Sequence, residues 1–139
     1  MKIHLCYVGR PRDAHLNAAA AEYLKRAGRW VRCEMRSLEP RRQDFFQRYR
    51  GWRTILLDPG GQKLDTPAFV QLLRDAQMRG QDLAFLVGGA EGLPAGWRQR
   101  ADLLLSLSPL TMAHELARLV LAEQIYRALA LLHGHPYPR

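Results

Sequence analysis

The sequence predicts an α/β protein with a mostly parallel sheet flanked by helices. Strand-like apolar runs alternate with helical patterns along the whole chain, and this alternation is typical of parallel sheets. The runs at 83–87 and 103–105 are apolar at every position, as is typical of strands that are buried on both faces. A chain of 139 residues, 47% of them hydrophobic, is long enough to bury one sizeable core. We therefore interpret residues 1–139 as a single domain.

Capping and turn residues predict the elements of the first half. Asp13 stands at a helix N-cap position, and Gly28 follows the last apolar residue of the same helical pattern. The segment Pro59-Gly60-Gly61 predicts the end of the third strand. The predicted elements are a strand at 2–8, a helix at about 14–27, a strand at 30–38, a short helix at 44–49 and a strand at 54–58.

The second half continues the alternation. Asp65 or Thr66 is predicted to cap a helix that begins at Pro67 and ends at Gly80. The elements that follow are a strand at 83–87, a short helix at 94–100, a strand at 103–105 and a helix at about 113–132.

The last helix carries two apolar stripes. They lie more than a third of a turn apart and comprise Leu121, Ile125, Ala128 and Leu132 in one, and Leu119, Ala122, Tyr126 and Ala130 in the other. One stripe is expected to cover the sheet, and a second copy of the chain related by a two-fold axis would cover the other. The alternative is a helix that is buried between two layers of its own domain. The first interpretation predicts a homodimer.

The composition excludes several classes of protein. No apolar run approaches the roughly 20 residues that a membrane span requires, and residues 1–5 begin a strand rather than a signal peptide. We expect a soluble, cytoplasmic protein without a membrane contact. Cys6 and Cys33 are the only cysteines, and both lie in strand-like runs, so we expect buried, reduced thiols and no structural metal site.

The charge is strongly positive. Lys and Arg number 21 against 13 Asp and Glu, which gives a net charge of +8. Many of the arginines lie between residues 26 and 53, and arginine side chains pair with phosphates and stack on bases. The pattern favours a polyanionic partner such as a nucleic acid, with an ordinary solvated surface as the alternative.

Three segments rich in glycine or serine are predicted to build one pocket. They are 88–92, 106–111 and 134–139. The first two directly follow apolar strands, and ligands of parallel sheets bind at the carboxyl ends of the strands. Glycine also lets a ligand lie against the main chain. The alternative for Gly88-Gly89 alone is a plain tight turn.

These motifs together resemble the H-type large-subunit ribosomal RNA methyltransferases of the SPOUT class. The resemblance runs almost continuously from residue 55 to 139, and its start is weaker. It rests on Leu57-Asp58, Asp65-Thr66-Pro67, the segment 86–93, Ser106-Leu107-Ser108, Leu110-Thr111, His114, the segment 119–128, His135-Pro136-Tyr137, and on Val8-Gly9-Arg10 and 22–26 near the start.

The resemblance implies both a fold and an activity. The family's C-terminal chain forms a trefoil knot, and its members work as homodimers on the assembled ribosome. They transfer a methyl group from S-adenosylmethionine to N3 of a pseudouridine in 23S rRNA, without a metal. In this chain the cofactor would lie against Leu57, Gly88, Gly89, Ser108, Pro109, Leu110, Thr111, Met112 and Ala113, and the tail of one subunit would reach the cofactor pocket of the other.

The proton on N3 must be removed or the resulting anion stabilised, and several side chains are candidates. We expect Tyr137, Arg139, His135 and Arg118 to be catalytic, and His114 is a further candidate that a helix-capping role would also explain. Glu91 would either orient the ribose of the cofactor or cap the short helix that follows it.

Two other classes of protein remain as alternatives. One is a non-catalytic RNA-binding module with a vestigial pocket, which would not bind S-adenosylmethionine. The other is a Rossmann-type nucleotide enzyme, but the segment 88–92 lacks the glycine spacing of the dinucleotide-binding motif.

Overall fold

The computed structural model describes residues 1–137. Within them, five strands alternate with five helices. In chain order these are β1 (Lys2–Val8), α1 (Ala14–Ala27), β2 (Arg32–Leu38), α2 (Phe45–Arg48), β3 (Arg53–Lys63), α3 (Thr66–Met78), β4 (Leu83–Val87), α4 (Trp97–Arg100), β5 (Leu103–Ser106) and α5 (His114–Leu132). The predicted N-caps Asp13, Asp44 and Asp65 accept hydrogen bonds from the first turns of α1, α2 and α3.

The strands form one sheet in the order β2-β1-β4-β3-β5, and every pairing between neighbours is parallel. All five residues of the central strand β4 are buried, as its continuous apolar run predicts. The α/β class and the mostly parallel sheet are therefore confirmed. Because parallel strands share one carboxyl edge, the loops after β3, β4 and β5 emerge side by side.

The two faces of the sheet are covered differently. Side chains of a strand alternate between the faces, so Ile3 and Leu5 pack with Phe85 beneath α1, α3 and α5. Cys6 and Leu86 point to the opposite face, which carries only the short helices α2 and α4. This short-helix face has its own core, formed by Cys6, Leu38, Phe45, Tyr49, Leu56, Ala84, Leu86 and Trp97.

The prediction that Pro59-Gly60-Gly61 ends the third strand is wrong. β3 continues to Lys63, because the chain bulges out and then pairs with β5 a second time: Leu57 and Gln62 both lie opposite Leu105. A Cβ atom on Gly61 would lie 2.7 Å from the main-chain carbon of Leu104, so only glycine permits this close return of the backbone.

The other boundaries differ by a few residues. β2 begins at Arg32 rather than Trp30, and β5 extends to Ser106. The helix predicted at 94–100 is only α4, because Gly96 precedes it in the left-handed region with φ +84°. Both cysteines are free; Cys6 is buried and Cys33 is half-buried.

Most of the second apolar stripe of α5 is already buried within this chain. Ala122, Tyr126 and Ala130 are already buried within this one, where α5 packs against α1 as well as the sheet. The ring of Tyr126 lies 5.8 Å from that of Tyr23 in α1, measured between centroids. The expectation that a second copy covers this stripe is therefore wrong for these three residues, while the fourth, Leu119, is half-buried. The homodimer and the trefoil knot stay predictions.

Candidate active site

A cleft of about 170 Å³ opens at the bulge of β3 and at the carboxyl ends of β4 and β5. We call it the active cleft. The β3 bulge, the exits of β4 and β5 and the first turn of α5 line it, as does Arg98 of α4. The lining residues are Leu57, Asp58, Pro59, Val87, Gly88, Gly89, Gly92, Leu93, Arg98, Leu105, Leu107, Ser108, Leu110, Met112, His114 and Ala117. Two of the three segments expected to build one pocket therefore meet here.

The glycine loop after β4 is both a tight turn and a wall of the cleft. The amide of Gly92 donates a 2.9 Å hydrogen bond to the carbonyl of Gly89, and Gly92 has φ +79°. A Cβ atom on Gly88 would lie 3.0 Å from the main chain of Gly92, and one on Gly89 would lie 3.2 Å from the carbonyl oxygen of Val8. The tight-turn alternative is thus correct, and it leaves bare main chain facing the cleft.

The structure brings six of the nine expected cofactor-binding residues into the lining. They are Leu57, Gly88, Gly89, Ser108, Leu110 and Met112. Pro109 lines a neighbouring groove instead, while Thr111 and Ala113 are exposed outside the lining. The loop is held by its own hydroxyl groups: Ser106 Oγ donates to the carbonyl of Ser108, and the amide of Leu110 donates to Ser108 Oγ. The cofactor-binding role of all nine residues stays a prediction.

Two charged residues of the lining were missing from the expected site. Arg98 Nε lies 2.9 Å from Asp58 Oδ1, and the same carboxylate accepts a hydrogen bond from the amide of Gly60. Asp58 directly follows the apolar run 55–57 of β3, a position where sequence reasoning could have found it. Arg98 had no such signal, because it reaches the cleft from a different element on the short-helix face.

His114 lies in the lining of the cleft, whereas Glu91 lies outside it. His114 lines the cleft and is the first residue of α5, but the N-cap is Ala113 and no side chain caps the helix. A capping role therefore does not explain His114. Glu91 is exposed and outside the lining, and the N-cap of α4 is Gly96, so the expectation that Glu91 caps that helix is wrong.

Arg118 is fully buried beside the cleft rather than in it. Its Nη1 donates a 2.7 Å hydrogen bond to Asn17 Oδ1, and its guanidinium lies 4.0 Å from the centre of the Tyr7 ring. Its Nε has no hydrogen-bond partner among the described residues. These contacts anchor the exit of β1, whose carbonyl at Val8 lies against the glycine loop. The catalytic role expected of Arg118 stays a prediction.

Glu115 links the segment after β1 to the start of α5. Its carboxylate accepts hydrogen bonds from the amides of Arg12, at 2.6 Å, and Asp13, at 2.9 Å. These main-chain bonds hold the pKa of Glu115 below its usual range, although burial opposes the shift. The segment between β1 and α1 is therefore clamped at the start of α5, next to His114.

Residues 134–137 of the third expected segment, the tail, lie outside the lining of the cleft of their own chain. α5 has 19 residues, so its end is about 28 Å from its start at His114. The tail then folds back along α5, where the Tyr137 hydroxyl donates a 2.6 Å hydrogen bond to Glu123 and His135 packs on Trp30. A pocket built from all three segments therefore requires the tail of a second subunit, and it stays a prediction. Arg139 lies outside the described residues.

Tyr137 and Glu123 form a partly buried pair with Arg127. Burial and the hydrogen bond to Glu123 both raise the pKa of Tyr137. Burial would raise the pKa of Glu123 as well, but the hydrogen bonds from Arg127, at 2.7 Å, and from Tyr137 lower it overall. Tyr137 is therefore a neutral hydrogen-bond donor in this arrangement.

Neither a metal cluster nor a membrane helix is found over residues 1–137. No group of three or more His, Cys, Asp or Glu side chains is arranged to hold a metal ion. No helix in this range is long and apolar enough to cross a membrane.

Comparison with known proteins identifies the family. Residues 1–138 match a family model described as "Predicted SPOUT methyltransferase". A relative from Solibacter usitatus is named ribosomal RNA large subunit methyltransferase H; it is 51% identical, and the alignment covers 100% of both chains. The chain belongs to the ribosomal RNA large subunit methyltransferase H family. A protein of the same name from Thermus thermophilus is 43% identical, covering 100% of this chain and 99% of that one.

Solved structures share the fold of this H family member at low sequence identity. A probable methyltransferase from Bordetella pertussis Tohama I has a TM-score of 0.62 and 12% identity, covering 92% of this chain and 94% of that one. A probable methylase family protein from Haemophilus influenzae has a TM-score of 0.65 and 9% identity, covering 99% and 70%. The SPOUT-type α/β fold that the resemblance implied is therefore confirmed.

Proposed function

We propose that this protein is an S-adenosylmethionine-dependent methyltransferase that methylates N3 of a pseudouridine in 23S rRNA. It would act in the cytoplasm, as a homodimer on the assembled ribosome. The observation that carries the proposal is the active cleft itself, at the strand exits where the family resemblance places the cofactor. The 51% identity to a protein named ribosomal RNA large subunit methyltransferase H over the whole chain supports the same substrate.

The lining of the cleft fits S-adenosylmethionine. Bare main chain at Gly88 and Gly89 offers amide and carbonyl groups to the adenine edge, and Leu57, Leu110 and Met112 supply apolar contact. Asp58 is the one carboxylate of the lining in the described chain; because Arg98 already pairs with it, it would favour a cationic sulfonium only weakly. When bound, the cofactor supplies a methyl group that is already activated for transfer to a nucleophilic nitrogen.

The residues of the chain then position the reactants and control the proton. The apolar lining excludes water, and holding two groups in line supplies several kcal/mol toward the barrier. His114 is the one imidazole among the described lining residues, and in this proposal it accepts the N3 proton. Arg118 and Glu115 hold the β1 exit against the glycine loop and are positioning residues.

His135, Tyr137 and Arg139 would complete a site only across a two-fold axis. Tyr137 is held at Glu123, nine residues beyond His114 and about 14 Å farther along α5. In the proposed dimer, the tail of one subunit closes the cleft of the other, where Tyr137 and His135 would contact the base and Arg139 a phosphate.

Methyl transfer to ribosomes tests the proposal directly. The substrate is ribosomes from a bacterial strain that lacks the homologous enzyme, with S-adenosylmethionine labelled on the methyl carbon. We expect one labelled pseudouridine per 23S rRNA, located by mass spectrometry of nuclease fragments. Ribosomes from the parent strain, which are already modified, are the control and should accept no label. Binding of S-adenosylmethionine without transfer, or no binding at all, would contradict the proposal; the second result identifies the RNA-binding module.

A variant that fills the cleft can be compared with a matched variant on the surface. Ala117 lines the cleft from α5, so Ala117→Leu places a larger side chain in the cofactor volume. Ala18→Leu makes the same change on the exposed surface of α1. We expect calorimetry to show loss of S-adenosylmethionine binding for the first variant only. Gly89→Val is a poorer choice, because its Cβ would meet the carbonyl of Val8 at 3.2 Å and disturb the loop itself.

A further inference from the structure

A second opening, of about 500 Å³, lies on the short-helix face beside the edge strand β2. We call it the basic groove. It is separate from the active cleft and shares no lining residue with it. Its lining residues are Cys6, Glu34, Met35, Arg36, Ser37, Leu38, Gln43, Arg48 and Tyr49. Most of them are polar, and two are arginines.

The positive charge at this groove is not neutralised by the protein. Arg48 has no carboxylate within 4.0 Å in the described part of the chain, and the same holds for Arg41 and Arg42. Both of these arginines are exposed, and they lie in the turn that joins two lining residues, Leu38 and Gln43. The groove therefore presents free guanidinium groups at its wall and at its rim.

The one carboxylate in the lining is already engaged. Glu34 lies 2.7 Å from His4 Nε2 and 3.2 Å from Arg36 Nη2. The arginine contacts lower the pKa of Glu34, chiefly through the hydrogen bond from Arg36. Glu34 thus offsets the charge of Arg36 and leaves that of Arg48 free for a ligand.

The floor of the groove is rigid. Tyr49 is only 2% exposed, and its hydroxyl lies 2.9 Å from His4 Nδ1 and 3.1 Å from Cys6 Sγ. The guanidinium of Arg48 lies 5.0 Å from the centre of the Tyr49 ring, which restrains it by a cation–π contact. β2 pairs only with β1 among the described strands, so its outer edge adds main-chain N–H donors beside Ser37 and Gln43. This donor set suits a phosphate oxygen.

The groove and the active cleft are linked by the two short helices, where the arginines are paired with carboxylates. β2 lies two strands from β4, a separation of about 10 Å at the usual strand spacing. Between them, Arg100 of α4 pairs with Asp44 at the start of α2, and Arg98 of α4 reaches the active cleft. A chain of phosphates that enters the cleft can continue along α4 and α2 to the groove.

We propose that the basic groove binds the phosphate backbone of the 23S rRNA strand beside the methylated nucleotide, through Arg41, Arg42 and Arg48. This inference rests on the proposed function, because it takes rRNA as the substrate. The groove serves substrate affinity and not cofactor binding or chemistry, since it contacts neither the cleft nor His114.

The salt dependence of RNA binding tests the inference. The variant Arg41→Gln/Arg42→Gln/Arg48→Gln is compared with Lys25→Gln/Arg74→Gln/Arg79→Gln, which makes the same change in net charge at exposed positions of α1, α3 and the C-cap of α3. Binding to protein-free 23S rRNA is measured at several salt concentrations, and KM for unmodified ribosomes is measured beside it. Thermal unfolding and calorimetric binding of S-adenosylmethionine confirm that both variants are folded.

For the groove variant we expect the slope of log affinity against log salt to fall by about 2, at roughly 0.7 to 0.9 per lost phosphate contact. Its KM for ribosomes should rise on the order of tenfold with kcat unchanged, and the control should change little. Equal slopes in the two variants would overturn the inference. So would a loss confined to intact ribosomes, since it would indicate an acidic ribosomal protein as the partner. A wild-type protein that binds rRNA with the expected slope but transfers no methyl group would refute the proposed function instead.

Discussion

The hydroxyl of Tyr137 donates a 2.6 Å hydrogen bond to Glu123, 14 residues earlier in the chain. Arg127 pairs with the same carboxylate at 2.7 Å. The tail is therefore held against the helix that carries it, while the start of that helix lines the active cleft. A tail docked in this position serves catalysis only if a second subunit brings its own cleft to it.

Mixed dimers test this composite site. One parent carries Ala117→Leu, which fills its cleft, and the other is truncated after His133, which removes its tail. Each parent should be inactive. In a mixed dimer, one of the two sites combines an intact cleft with an intact tail from the other chain. Since random mixing yields half mixed dimers, we expect about a quarter of the wild-type methyl transfer.

Two controls accompany that mixture. Unmixed parents measured at the same total concentration establish the background, and size-exclusion chromatography confirms that subunits exchange. A mixture as inactive as its parents, although mixed dimers have formed, would show that the tail does not act in trans.

The carboxylate of Asp58 should discriminate between cofactor and product. S-adenosylmethionine carries a positive sulfonium, whereas S-adenosylhomocysteine is a neutral thioether. For Asp58→Asn we expect affinity for S-adenosylmethionine to fall by about 1.4- to fivefold, as for a partly screened ion pair of about 0.2–1 kcal/mol, with little change for S-adenosylhomocysteine. Calorimetry with both ligands measures this. Asp75→Asn on α3, outside the lining, is the matched control, and an equal loss for both ligands would rule out a charge effect.

Glu115 should contribute stability that depends on pH. Its folded pKa is lowered, so its contribution is present above the unfolded value near 4.5 and is lost as pH falls through the folded value. We expect Glu115→Gln to lower the urea midpoint at pH 7, and the difference from wild type to shrink below about pH 4. Glu22→Gln, an exposed carboxylate on α1, should show a much smaller effect. A difference that persists unchanged at about pH 3 would contradict the role of the carboxylate charge.

The two thiols should be unreactive in the native protein. Burial raises the pKa of Cys6 to about 11 and that of Cys33 to about 12, so at pH 8 at most about one thiol in a thousand is the reactive thiolate. We expect slow labelling by a disulfide reagent in buffer and rapid labelling of both thiols in denaturant. Rapid labelling of the native protein would show that a strand opens to solvent.

Local patterns were sufficient where one segment determines its own structure. Asp13 and Asp65 marked helix starts because an N-cap bonds only to its own first turn. The apolar run at 83–87 marked a central strand because burial on both faces admits no polar residue. The glycine loop was located for a similar reason, since its turn closes within four residues.

Contacts between residues that are distant in the chain could not be predicted from local patterns. The stripe of Ala122, Tyr126 and Ala130 indicated a buried surface, but its pattern is the same whether α1 of the same chain or a second copy covers it. Arg118 carried a charge that suggested chemistry, whereas its contact with Asn17 buries it in a structural network. Arg98 lines the cleft from α4 on the short-helix face. No local sequence pattern shows which distant loops such a side chain will meet.

The sequence by itself determined the α/β class, the order of the elements and the family, because each depends on periodicity and on motifs that are contiguous in the chain. Tertiary structure decided the rest. It continued β3 past Gly61 because β5 offers a second set of hydrogen-bond partners, and it set Tyr137 on Glu123 because a helix of 19 residues separates the tail from the cleft. It also brought Arg36 of β2 and Arg48 of α2 into the lining of one groove, and only the tertiary structure shows that Glu34 pairs with Arg36 whereas Arg48 has no carboxylate within reach in the described chain.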